Sequence, residues 1–181
     1  MWRFRKNNLI NEGNVKTVLN LLTDEQIISN ISNDIVIILI ENKEKEKIYI
    51  NNKNDPLYSN KIPKIKIEDY ITRLYKYSKM EISTLILTYI YIKRFINKEN
   101  YIISFHNIFR LIMSCSILAI KFNENKVYKN SFYAKIGGFD VDDLNNLEYS
   151  IFSRLDFNLR VLDEEFYQML LNVCKDIIDK G

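Results

Sequence analysis

The sequence is poor in the residues that make tight turns. Its 181 residues include only four glycines and two prolines. Antiparallel hairpins need such residues at their turns, so this composition disfavours a hairpin-rich fold and favours helices. Long apolar runs are also missing, because the longest covers only residues 35–40. A run of that length is far too short to span a bilayer, and we expect no membrane segment.

Residues that carry chemistry are equally scarce. Cys115 and Cys174 are the only cysteines, and each falls in an apolar helical pattern, which predicts small buried thiols and a reducing compartment. The single histidine, His106, has no acidic or cysteine partner at a metal-ligand spacing, so we expect it to cap or pack. No phosphate-binding loop or nucleophile motif is present. The sequence therefore predicts no enzyme, no metal, no cofactor and no small-molecule substrate.

The length and the charge balance indicate one intracellular domain. At 181 residues the chain fits a single domain that buries about 70% of its unfolded surface. We predict a flexible N-terminal tail over residues 1–13 and one all-helical domain over residues 14–181. No apolar segment follows residues 1–6, so we expect no secretory signal and a location in the cytoplasm or nucleus. The net charge of +3 is too small to indicate nucleic acid.

The most apolar stretch, residues 104–122, predicts a buried central helix. Ser104 is the expected N-cap. Apolar residues recur at helical spacing, and other helices must cover a stretch that is apolar nearly all round. Lys121 is the exception, because it sets a cation among apolar neighbours and therefore needs a partner. The stripe consists of Ile108, Leu111, Ile112, Cys115, Leu118, Ala119 and Phe122.

Further helical patterns surround this stretch. They cover residues 15–46, 67–77, 82–96, 128–135 and 163–178, with one more helix beginning after Asp140. Asn33 and Asp34 leave open whether the first pattern is one helix or two. Residues 48–66 hold both prolines and predict a loop within the domain, although a short strand over residues 47–50 is an alternative.

A legible turn precedes the helix that begins after Asp140. Asp140 is the expected N-cap, and Gly137 and Gly138 permit a tight bend with positive φ. Asp142 and Asp143 follow in the first turn, where the helix dipole favours carboxylates, so a charged helix start explains the three acids better than a cation site does. Together the segments predict an all-α bundle.

Several motifs in this order resemble the cyclin box. They are YITRLYKYS, YIYIKRFI, LIMSCSILAIKFNE, SFYAKIGGFDVDDLNNLE and DLNNLEYSIFSRLDFNL. The first and fourth are similar to the P-type, phosphate-signalling cyclins in particular. The resemblance extends over about residues 65–166. It implies one five-helix cyclin box at about 65–160, with extra N-terminal helices and one C-terminal helix.

This resemblance implies a regulatory subunit that binds and activates a cyclin-dependent protein kinase. The lysine and glutamate that grip the kinase backbone beside its C helix in cyclins correspond to Lys121 and Glu148. A simple bridge between two helices is the structural alternative for this pair. The neighbouring apolar contacts implied by the resemblance are Leu118, Phe122, Phe152, Phe157 and Leu159.

Two departures from the family pattern affect other residues. The aspartate usual in the second motif is Lys93 here, so Arg73 lacks its expected partner, and Asp69, one turn earlier, is a substitute. In cyclins that dock substrates, the first helix presents an apolar patch. The matching positions here are Thr72, Lys76 and Lys79, which disfavours docking of that kind.

Two alternative functions remain open at this stage. The same bundle occurs in general transcription factors related to the initiation factor that binds promoter DNA, so a scaffold or nucleic-acid-binding module is the runner-up. That function requires a contiguous basic face, and the lysines here are dispersed among acids. A cyclin-like protein that binds a kinase without activating it is the other alternative.

Overall fold

The computed structural model describes residues 22–49 and 54–178, and every regular element in these two ranges is an α-helix. This confirms the predicted all-α fold. The predicted flexible tail over residues 1–13 lies outside the described residues. The helices are α1 (Asp24–Tyr49), α2 (Ile67–Ser78), α3 (Ile82–Glu99), α4 (Ile108–Asn123), α5 (Asn130–Gly137), α6 (Val141–Arg154) and α7 (Asp163–Ile178).

Helix α4 is the centre of the bundle, as its apolar pattern predicted. Every residue from Leu111 to Ile120 is buried, and α2, α3 and α6 pack around it. Burying each large aliphatic side chain contributes about 1.5–3 kcal/mol, so this helix is a main source of the free energy of folding. The serine hydroxyls inside it donate to carbonyls one turn earlier, Ser114 to Arg110 and Ser116 to Ile112, both at 2.8 Å. Those bonds satisfy polar groups that the core would otherwise leave unpaired.

The start of α4 differs from the prediction. The helix begins at Ile108 with Asn107 as the N-cap residue, so Ser104 is not its cap. Ser104 lies in the preceding turn, where its N–H donates to Asn107 Oδ1 at 2.8 Å and its Oγ accepts from the His106 N–H at 3.2 Å. Short polar side chains stabilise such turns by bonding to nearby backbone groups, and here they delay the helix by about one turn.

His106 therefore precedes α4 instead of lying in its first turn. Its Nδ1 donates to the carbonyl oxygen of Ser59 at 2.8 Å. Its ring stacks on Tyr58 with 5.2 Å between the centroids. The predicted packing role is confirmed, and its partners belong to the loop before α2.

Helix α1 is continuous through Asn33 and Asp34, which settles the question of one helix or two for the described residues. Asp34 does not compete for the backbone, because its Oδ2 accepts from the Tyr89 hydroxyl of α3 at 3.1 Å. The same helix continues to Tyr49, so the alternative strand is wrong for residues 47–49. Residue 50 of that alternative lies outside the described range.

Residues 54–66 form an irregular loop that buried anchors hold to the bundle, whereas residues 48 and 49 of the predicted loop 48–66 belong to α1. Leu57 is fully buried, and its N–H donates to Asp55 Oδ1 at 2.9 Å. Arg154 of α6 pairs with Asp55 at 3.4 Å and lies over the Phe95 ring, 4.5 Å from its centroid. The loop therefore has a defined position against α3 and α6.

The turn from α5 to α6 confirms the predicted bend at Gly138 and the cap at Asp140, whereas Gly137 is the last residue of α5 and lacks the positive φ expected of it. Gly138 has φ +78°, and its N–H donates to Ala134 O at 2.9 Å. A Cβ added at Gly137 would lie 2.6 Å from Met113 Sδ, so a larger residue there requires the Met113 side chain to move. Asp140 caps α6 by accepting from the Asp142 N–H at 2.9 Å.

The last two helices bury their apolar faces in the core. In α6 these residues are Leu144, Leu147, Ile151 and, at its C-terminal end, Leu155. In α7 they are Phe166, Leu170, Val173 and Cys174.

The positive φ of Gly138 predicts that alanine at this position destabilises the fold more than asparagine does. We expect Gly138→Ala to lower the free energy of unfolding by about 1–2 kcal/mol, because a Cβ is strained in the left-handed region. Gly138→Asn, which tolerates that region better, is the matched variant and should cost less. No atom lies within 4 Å of the added Cβ, so crowding does not contribute. Urea denaturation measures both, and an alanine variant as stable as the parent would contradict the strain.

The two thiols should be inert in the folded chain. Both are free and buried, and burial raises the pKa of Cys174 to about 11 and that of Cys115 further. A raised thiol pKa keeps the group neutral at pH 8, and only the thiolate reacts. We expect slow labelling by Ellman's reagent at pH 8 and complete labelling in urea. Rapid reaction of either thiol in the folded chain would contradict the packing described.

Candidate functional site

Lys121 and Glu148 form an ion pair where α4 ends. Lys121 lies in the last turn of α4, and Glu148 lies midway along α6. Lys121 Nζ is 2.7 Å from both carboxylate oxygens of Glu148. The lysine side chain is 36% exposed and the glutamate side chain 18% exposed, so the pair lies at the surface with its acid partly covered. The partner that Lys121 required is therefore present.

Asn130, the first residue of α5, fixes the carboxylate of Glu148. Its Nδ2 donates to Glu148 Oε2 and to Asn145 Oδ1, both at 2.7 Å. Residues of α4, α5 and α6 thus meet at one point. A carboxylate that is held by a second donor keeps its orientation when a ligand approaches.

The pair keeps unused bonding capacity. An ammonium carries three donors, and two bonds to Glu148 leave Lys121 one more N–H. A carboxylate offers about four acceptor positions, so Glu148 retains one after accepting from Lys121 and Asn130. One donor beside one acceptor complements a residue of extended backbone, whose N–H and C=O point to the same side.

Aromatic side chains border the pair. Phe122 is 46% exposed, Tyr149 67% and Phe157 56%, although large apolar groups are more often buried. Phe157 contacts Phe152 edge-to-face with 5.0 Å between centroids, and Tyr149 lies 6.5 Å from Phe157. We call these residues, Lys121, Phe122, Glu148, Tyr149, Phe152 and Phe157, the Lys121–Glu148 surface.

Tyr149 belongs to this surface although no sequence motif predicted it. It follows Glu148 directly and precedes Phe152 by three positions on α6. Its helical spacing to Phe152 was therefore visible in the sequence, but only the structure shows its ring beside that of Phe157.

A strained turn presents Phe157. Asp156 and Phe157 have φ of 55° and 57°, a left-handed conformation that non-glycine residues adopt at a cost of about 1–3 kcal/mol each. Lys98 of α3 supports the turn, because its Nζ lies 2.6 Å from Asp156 Oδ1 and donates to Arg154 O at 2.7 Å. The Phe157 N–H donates to Phe152 O at 2.9 Å. The turn holds the Phe157 ring at the surface, where over half of the residue remains exposed.

The other predicted contacts lie deeper. Leu118 is only 3% exposed, because it continues the inward stripe of Leu111 and Cys115. It is a core residue that supports the end of α4, in contrast to the surface contact expected of it. Leu159 is half-buried, and its carbonyl accepts from the Tyr91 hydroxyl at 2.8 Å.

Arg73 finds a different partner from the one expected. Its Nη2 donates to the carbonyl oxygen of Lys135 on α5, at a long 3.5 Å. The ion pairs among the described residues do not join Arg73 to Asp69. Arg73 extends across to α5 instead of along its own helix. Lys93, which occupies the family's aspartate position, lies over the Tyr89 ring at 5.9 Å.

Contacts within the protein account for Asp140 and Asp143 at the start of α6 without a metal ion. Asp143 accepts two hydrogen bonds from Arg110 of α4, at 2.6 and 2.7 Å, and Asp140 caps the helix. Across residues 22–49 and 54–178 no cluster of three or more histidine, cysteine or acidic residues has metal-binding geometry. None of the helices in those ranges has the length and apolarity needed to cross a membrane.

Comparison with known proteins finds cyclins. The chain is 39% identical to Cyclin-U2-1 and 34% identical to Cyclin-U3-1 of Arabidopsis thaliana, over 101 and 105 residues that cover 55% and 58% of it. It is 29% identical to Cyclin-P3-1 of Oryza sativa over 119 residues, or 66% of it. These matches cover 46%, 48% and 50% of the relatives, so the chain matches about half the length of each.

The sequence model of the cyclin family matches residues 22–159, a range that runs from the residues just before α1 to those just after α6. That range contains both Lys121 and Glu148, and it begins well before the segment 65–160 predicted as the box. Because the match covers well over half of the sequence, this chain belongs to the cyclin family.

Proposed function

We propose that the chain is a regulatory subunit that binds a cyclin-dependent protein kinase and favours its active conformation. The observation that carries this proposal is the Lys121–Glu148 pair, which is held by Asn130 and has bonding capacity to spare. Membership of the cyclin family supports a regulatory role in which the chain performs no chemistry itself.

In the proposed complex, the pair binds the C=O and N–H of one extended residue of the kinase backbone beside its C helix. The remaining N–H of Lys121 donates to a kinase carbonyl, and Glu148 accepts from a kinase N–H. A backbone contact of this kind holds main chain irrespective of the side chains that the kinase presents. It also aligns the apolar part of the interface.

The exposed aromatic residues supply that apolar part. Tyrosine and phenylalanine are enriched in the centres of protein interfaces, where a few well-packed residues provide most of the binding energy. Phe122, Tyr149 and Phe157 are large, and the turn at Asp156 limits the motion of the last. A standard interface buries about 1,600 Å² in total, which this surface would have to reach with its neighbours.

The chain activates the kinase if it binds the active conformation more tightly than the inactive one. A protein kinase is active when its C-helix glutamate pairs with the catalytic lysine. The chain shifts the kinase toward the active state by the difference between its binding free energies for the active and the inactive states. About 5.5 kcal/mol of differential affinity converts a 1:99 population into 99:1.

We also propose the finer assignments that the sequence suggested. A place among the P-type cyclins is supported by the motifs YITRLYKYS and YAKIGG and by the similarity to Cyclin-P3-1. The relatives with U-type names match at higher identity, so this placement is a separate proposal from kinase binding. We also propose that the chain acts in the cytoplasm or nucleus and that it has a role in cell-cycle control.

Charge reversal at Lys121 tests the proposal. We expect Lys121→Glu to weaken kinase binding by about 2–5 kcal/mol, because it removes a charged donor and leaves Glu148 facing a like charge. Folding stability should change by less than about 1 kcal/mol, because the pair is partly exposed. Pulldown with a panel of purified cyclin-dependent kinases measures binding, and circular dichroism checks the fold. Lys76→Glu on α2 is the matched control, since Lys76 is exposed and lies outside the surface.

Exchanging the two residues of the pair distinguishes kinase binding by the pair from an ion pair that only joins α4 to α6. The double variant Lys121→Glu with Glu148→Lys restores the attraction between α4 and α6 but inverts donor and acceptor. We expect it to fold and still fail to bind. Full kinase binding by the swapped variant would show that the pair only ties two helices together. A peptide phosphorylation assay with the parent chain then distinguishes activation from binding alone.

A further inference from the structure

A groove of about 490 Å³ lies away from the Lys121–Glu148 surface. Its walls come from the loop before α2, from α2 itself, from the beginning of α4 and from the α5–α6 turn. None of the residues of the Lys121–Glu148 surface lines it. Arg110, at its α4 wall, is about 16 Å from Lys121 along the helix axis, by a rise of about 1.5 Å per residue.

The groove carries more positive charge than its own acids neutralise. Arg110 is already bonded, because it holds Asp143 through two hydrogen bonds and donates to Pro56 O at 2.9 Å. Three further cations, Lys61, Lys64 and Arg73, line the groove and form no ion pair with a carboxylate of the described residues. Asp140, the remaining acid in the lining, caps α6.

Arg73 is the best placed of the three cations. Its guanidinium makes one long hydrogen bond, at 3.5 Å to Lys135 O, although it carries several N–H donors. The planar fork of a guanidinium matches a carboxylate with two parallel bonds. Arg73 therefore has the capacity to bind an incoming acid without giving up an ion pair.

The walls between these cations include apolar side chains. Ile62 is 45% exposed and Phe105 is 48% exposed, while Phe109 is buried and packs edge-to-face on Tyr70 with 5.1 Å between centroids. His106 is held by Ser59. The groove thus combines an apolar cleft with a basic rim.

We propose that this groove docks an extended acidic segment of a partner protein, with one apolar side chain seated between Ile62 and Phe105. Carboxylates of the segment pair with Arg73, Lys61 and Lys64, and a volume of this size accommodates a few side chains. Thr72, Lys76 and Lys79, which match the family's apolar docking patch, do not line the groove. This docking does not depend on kinase binding, because the groove shares no residue with the Lys121–Glu148 surface.

Fluorescence anisotropy on the full chain tests this docking. The probe is the fluorescein-labelled peptide EEDFEED at about 0.15 M ionic strength, where the Debye length is about 8 Å. We expect a Kd of about 10–100 µM, as is usual for a short flexible peptide that loses entropy on binding. Arg73→Glu and Lys64→Glu should each weaken binding at least about tenfold, the effect of losing one charge-assisted contact. The peptides QQNFQQN and EEDGEED should bind at least about tenfold more weakly as well.

Lys126→Glu is the matched control, because it reverses one exposed lysine outside the groove. It should change the Kd by less than about twofold. Equal weakening by Lys126→Glu would overturn the proposal by showing only attraction to net charge. So would absence of EEDFEED binding, or its displacement by equimolar inorganic phosphate, which would indicate a small-anion site. Circular dichroism of each variant confirms that exposed substitutions leave the helices intact.

Discussion

The burial of α4 on all sides constrains the rest of the molecule. From Leu111 to Ile120 the helix has no exposed residue, so its middle can only hold the bundle together. Groups that act on other molecules are therefore confined to its ends and to the helices that surround it. Lys121 lies at one end and Arg110 near the other, and each is paired with an acid of α6. The same packing that gives stability thus places two separate charged sites.

The pairing of α4 with α6 links fold and function. The Arg110–Asp143 pair orients the beginning of α6, whose cap and first turn follow directly from the Gly138 bend. Lys121 meets Glu148 further along the same helix. Beyond it, the left-handed turn at Asp156 and Phe157 ends α6 and presents an aromatic ring. Backbone strain at such a position is retained when the surrounding structure determines it, as Lys98 does here.

Local signals in the sequence predicted local structure well. The apolar spacing of α4, the cap at Asp140 and the bend at Gly138 depend on neighbours within a few residues, and all three are confirmed. Ser104 was misassigned because two short polar side chains compete to end the preceding turn. The position of Lys121 opposite Glu148 came from the resemblance to cyclins, since no pattern within one helix relates residues of two helices.

Contacts between distant segments were out of reach for the same reason. Periodicity marks Leu118 as inward, but whether the end of a helix is covered depends on what packs over it. Arg73 has an acid one turn away, yet it bonds to a carbonyl on another helix. Tyr149 and Phe157 are eight positions apart in the sequence, and their rings meet only because α6 ends in a sharp turn. Each of these contacts depends on tertiary packing, which local patterns in a single sequence do not show.

Hydrogen–deuterium exchange of the full chain, alone and saturated with a cyclin-dependent kinase, tests directly whether the kinase binds the Lys121–Glu148 surface. We predict that kinase binding slows exchange at backbone amides of residues 119–124 and 148–158 and leaves residues 61–65 unchanged. Unaltered exchange across residues 148–158 in a complex that demonstrably forms would contradict it, because the kinase would then be bound elsewhere.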